Sequence, residues 1–97
     1  MKQIKLKDEQ VFAQVHEKCL LVQGNVGWTV VISPEKAVKY CDSFDANDNS
    51  QNKENWGFYS VSEGVVLTHQ DAKLSLSKAD TSALIELVRA AENEIWE

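Results

Sequence analysis

A chain of 97 residues, 43% hydrophobic and 26% charged, has the composition of a folded domain and is far from the low-hydrophobicity, high-charge signature of disorder. Its length suits one domain over residues 1–97, and its longest nearly apolar run, residues 26–32, falls well short of the roughly 20 residues that a membrane-spanning helix needs. The net charge of −5 is uneven: residues 1–40 carry six lysines against four acids, while 41–97 carry four basic residues against eleven acids. That balance argues against direct nucleic-acid binding, which relies on cations neutralising phosphates, and makes a basic protein partner the natural expectation.

In chain order, Lys2 to Lys7 places Ile4 and Leu6 on one face and Lys5 and Lys7 on the other, the period of two of a half-buried strand. From Asp8 a different spacing begins. Asp8 can cap, Glu9 would sit in a first turn, and Val11, Val15 and Cys19 fall four apart, which predicts a helix to about Val22 closed by Gly24. A rival reading makes residues 18–23 a strand, hairpinned through Gly24 and Asn25 onto the next one. Val26 to Ile32 is rich in β-branched residues and predicts a buried strand with Trp28 in the core. Ser33, Pro34 and Glu35 supply a hydroxyl cap, a proline at the first helical position and an acid at the positive end of the dipole, so a helix runs to about Asp42.

Residues 45–55, Asp45 to Asn55, hold no large apolar side chain and read as a polar loop. Three strands follow in residues 56–62, 65–69 and 73–77, joined by short turns as an antiparallel meander. Ser77 or Asp80 then caps a final helix whose core stripe is Leu84, Val88, Ala91 and Ile95. The expected fold class is α+β: a small two-layer domain with an antiparallel sheet packed against helices, in the order β-α-β-α-β-β-β-α.

No reaction motif emerges. His16, Cys19, Cys41 and His69 offer a zinc-type ligand set, but their spacing lacks the paired knuckles of structural zinc sites. Asp45, Asn47 and Asn49 match the first positions of a calcium loop, which then fails at Ser50 and Trp56. His69 and Asp71 could be drawn as a triad with Ser60, Ser62 or Ser75, only by assuming a strand register. No catalytic residue, metal or cofactor is therefore assigned. The two cysteines read as buried thiols of a reducing compartment, and residues 1–10 lack the apolar stretch of a secretory leader, so a cytoplasmic location is expected.

Three function classes are left. The first is a non-enzymatic interaction module, inhibitor-like or immunity-like, that covers a basic protein; Trp96, Glu92, Glu86 and Trp56 are its candidate contact residues, since an aromatic beside acids suits such an interface. The second is a small-ligand-binding protein or small enzyme with a pocket near Trp56, Tyr59 and His69. The third is a homo-oligomeric accessory protein, for which a homodimer is the simplest form.

Overall fold

The structure is a computed structural model and describes residues 2–25, 27–45, 57–61, 64–69 and 72–96, the side chains of residues 2 and 59–61 excepted. Strands β1 (Lys2–Leu6), β2 (Val11–Val15), β3 (Leu20–Gly24) and β4 (Thr29–Ile32) precede helix α1 (Pro34–Asp45). Strands β5 (Gly57–Val61), β6 (Gly64–His69) and β7 (Ala72–Leu76) then lead into helix α2 (Lys78–Glu94). Both sheets are antiparallel meanders, ordered β1-β2-β3-β4 and β5-β6-β7. The α+β class, the three-stranded meander and the closing helix are as the sequence predicts.

The second element is not. Residues 11–24 form two strands instead of a helix, with Val15 opposite Leu20 and Val11 opposite Gly24. The His16 amide donates to the Cys19 carbonyl at 2.9 Å, so Glu17 and Lys18 make the tight turn between them. Asp8 and Glu9 accordingly cap nothing. With Lys7 they have φ of 51°, 55° and 71°, three consecutive left-handed residues that cost non-glycine side chains about 1 kcal/mol each. Bonds from several directions hold this turn: Gln10 N–H to the Lys7 carbonyl, Asn25 N–H to the Gln10 carbonyl, and Lys7 N–H to Asp80 Oδ2 in α2.

Register explains which side chains the first sheet buries. Ile4, Ala13, Val22 and Val30 lie in one row across the four strands, beside Leu6 with Val11, and Val15 with Leu20 and Ile32. This face joins Leu67, Leu76 and Phe58 of the second sheet, Ala37, Tyr40 and Cys41 of α1, and Leu84, Leu87, Val88 and Ala91 of α2 in one hydrophobic cluster. The α2 stripe is buried as expected, with Ile95 half-buried at its end.

Both helices start on the predicted caps. Ser33 Oγ accepts from Lys36 N–H at 3.3 Å and Ser77 Oγ from Asp80 N–H at 3.1 Å, which satisfies amides that the first turn leaves unpaired. Asp45 is the last residue of α1, and the rest of the predicted polar loop lies outside the described residues. No helix among the described residues is long and apolar enough to cross a membrane.

Candidate functional site

Among the described residues of the predicted buried strand at 26–32, Thr29–Ile32 form a strand and Gly27 and Trp28 do not, and that strand lies at the edge of its sheet. Trp28 is not in the core. Its side chain stands 37% exposed at the mouth of the β3–β4 turn, because its carbonyl accepts from Gly24 N–H at 3.0 Å and its indole lies directly over Gly24. A Cβ at position 24 would collide with the ring atoms of Trp28. Only a glycine leaves the indole room to rest on the backbone, which fixes the ring as one wall of a cleft.

That cleft, of about 320 Å³, lies between the two sheets. Val22 and Val30 line it from the first sheet, Leu67 and Leu74 from the second, with Trp28, Lys73 and His69 around them. The strands that build it explain its chemistry: Val22 and Val30 are register partners on one sheet, as are Leu67 and Leu74 on the other, so two apolar ladders face each other. The volume falls at the small end of the roughly 300–1,000 Å³ of ligand sites, and a mainly apolar lining with a few placed polar groups is their usual make-up.

His69 closes the inner end and is 6% exposed. Its Nδ1 lies 2.7 Å from Tyr40 Oη of α1, the rings meeting edge-on with centroids 5.9 Å apart. The Val31 backbone also acts on the ring, favouring its protonated form. The Gly24–Trp28 bond sets the alternation along β4, so the N–H and C=O of Thr29 and Val31 point away from β3 to the free edge. Burial, with the Lys36 charge second, pushes the His69 pKa below its ordinary value, while the Val31 backbone pulls the other way. Burial raises the Tyr40 pKa, so its hydroxyl stays protonated beside His69 Nδ1. With Nδ1 engaged by Tyr40, the ring ties β6 to α1 and forms part of the cleft wall.

The other sequence candidates fall elsewhere. Trp56, Ser62 and Asp71 lie outside the described residues, as does the side chain of Tyr59. Trp96, half-buried, donates its indole N–H to the His16 carbonyl at 2.7 Å and so pins the end of α2 to the β2–β3 turn. Glu86 is exposed on α2, and Glu92 lies 3.2 Å from Arg89. Arg89 also meets Asp42 and Asp45 of α1, each at 2.8 Å, and these carboxylates hold its guanidinium firmly protonated.

His16 and Cys19 face each other across a strand turn, not along a helix, and no group of three or more metal-type side chains occurs among the described residues. Cys41 is fully buried and its thiol is pushed up to about 12, chiefly by burial, so it is a neutral core group. Sequence reasoning found His69 but missed Trp28, Gly24, Val22, Val30 and Lys73. The rival hairpin joins the right two strands, but its turn at Gly24 and Asn25 would put Trp28 opposite Leu21, whereas the structure puts it opposite Gly24. No protein-family model, curated protein or solved structure matches the chain, so its chemistry has to be read from its own residues.

Proposed function

We propose that this protein is a small-ligand-binding protein whose site is the cleft between Trp28 and His69. The observation that carries the reading is the cleft itself, two apolar ladders from different sheets left apart by about 320 Å³. An ordinary core closes such a gap, because each void forfeits dispersion contacts on both walls. Trp28 supports it further: a half-exposed indole held in place by a glycine is a preorganised stacking surface that loses little freedom on binding. The hold of Tyr40 on His69 Nδ1 favours binding over catalysis as its role.

A fragment screen against isotope-labelled protein tests this. Bound fragments are expected to shift the Trp28 indole N–H together with the methyls of Val22, Val30, Leu67 and Leu74. Leu74→Trp, which fills the cleft from its wall, is expected to abolish those shifts while the chain stays folded. Fragments that bind Leu74→Trp as well as the parent would place ligand binding elsewhere and end the proposal.

One further observation favours a second reading, the acidic interaction module. The last turns of both helices hold no basic residue, and Asp42, Asp45 and Glu92 gather there around Arg89. Helix C-termini are themselves negative, so the field at this end is negative overall and suits a basic protein surface. Under this reading Glu86→Gln with Glu92→Gln weakens capture of a cationic partner, and raising the salt weakens it steeply. Salt-independent capture would exclude an electrostatic contact.

A further inference from the structure

The make-up of the cleft specifies more than that it binds something. We infer that its ligand is a small planar aromatic anion, with the ring held between Trp28 and the valine–leucine ladders and the anionic group directed at Lys73; this rests on the cleft being a ligand site.

Three observations point the same way. The first is shape: the walls are the facing sides of two sheets, with Val22 and Val30 on one and Leu67 and Leu74 on the other, and the indole of Trp28 lies beside them on Gly24. A gap between two flat layers admits a flat body, and an indole adds a stacking partner that aliphatic walls lack.

The second is charge. Lys73 is the charged side chain among the described lining residues, it is solvent-exposed at the rim, and no acidic residue lines the cleft among them. Lys36 of α1 adds to this field, since its charge acts directly on His69 at the inner end. The chain as a whole is acidic, with a net charge of −5. Among the described residues, a cleft with Lys73 at its rim and the Lys36 charge acting on its His69 wall is a local inversion of sign in an acidic protein, which attracts an anion there and discourages it elsewhere.

The third is hydrogen bonding. His69 Nδ1 is engaged by Tyr40, and the side chains of Val22, Val30, Leu67 and Leu74 offer no polar group. A ligand rich in donors and acceptors would leave them unpaired against the apolar ladders, at a cost that binding would have to overcome. A ring with one anionic group at the open end avoids that.

The test uses two probes with the same ring system, 2-naphthoate and 2-naphthylmethanol, titrated into the full chain by calorimetry. Naphthoate is expected to bind about tenfold more tightly at low salt, and the preference is expected to shrink as salt screens the rim charge. In Lys73→Gln the naphthoate affinity is expected to fall roughly two- to fivefold, the size of an exposed ion pair, with naphthylmethanol unchanged. Lys36→Gln combined with Lys73→Gln should erase the preference. Equal binding of both probes, or a preference that survives in the double variant, would overturn the anion assignment while leaving the cleft as a ligand site. If neither probe binds the parent chain, the ligand-site reading fails as well.

Discussion

Replacing Leu84 with alanine is expected to cost about 3 kcal/mol of folding stability, and to lower the melting temperature by on the order of 15 °C in a domain of this size. Leu84 is 0% exposed and opens the α2 stripe that Val88 and Ala91 continue. The helix packs against both sheets and α1, so no single element can shift inward to refill the space. The loss therefore includes a residual cavity as well as the transfer of the missing methyl groups. Glu86→Gln, two residues on and on the exposed side of the same helix, supplies the control and should change stability by no more than about 0.5 kcal/mol. Chemical denaturation of the two variants checks this. A cost below about 1 kcal/mol for Leu84→Ala would mean that α2 does not seal the core.

How far the sequence discloses this fold depends on whether a local pattern has one meaning. In α2 it does: spacings of four, three and four from Leu84 to Ile95 fit a helix and no strand, and Ser77 marks its start with a bond that the structure contains. In residues 11–22 it does not. A separation of four is one turn of a helix but also two full periods of a strand, so Val11 and Val15 fall on one face in either case. The tight turn at Glu17 and Lys18 then shifts the parity, placing Leu20 opposite Val15 and imitating a helical advance. What distinguishes the two is the β-branching of Val11, Val15 and Val22 and the half-buried Gln14 and Gln23 beside them, which a strand tolerates better than a helix does.

The candidate site was less legible, for a related reason. Its walls come from β3, β4, β6 and β7, and no local spacing links Val22 to Leu74. Composition also misdirected the reading of Trp28, whose β-branched neighbours suggest a core strand. Those neighbours form an edge strand, and Val31 stands 56% exposed on its outer face. His69 was legible because a histidine among apolar strand residues is uncommon, yet its role was not. Its partner Tyr40 lies 29 residues away in sequence, and a hydrogen bond over that distance leaves no periodic trace.

The buried contact with Tyr40 makes His69 the residue through which acidity should reach the fold. Its pKa is lowered in the folded chain, mainly by burial and then by Lys36, whereas an unfolded histidine titrates near 6.5. Below about pH 6.5 the unfolded chain therefore binds a proton that the folded chain resists, and stability falls as the pH drops from there toward the folded value. Above about pH 7 both states are neutral at this position and its contribution is flat. His69→Gln is expected to remove this slope, because an amide can keep a hydrogen bond to the Tyr40 hydroxyl without titrating. His69→Leu should behave differently: it abolishes the slope but also removes the hydrogen bond to Tyr40, at a cost of about 1–3 kcal/mol at neutral pH. Denaturation curves for the three chains between pH 5 and pH 8 separate these effects. If the parent and His69→Gln chains run parallel across that range, the buried tie between β6 and α1 does not titrate with folding, and a neutral ring in the cleft wall is wrong.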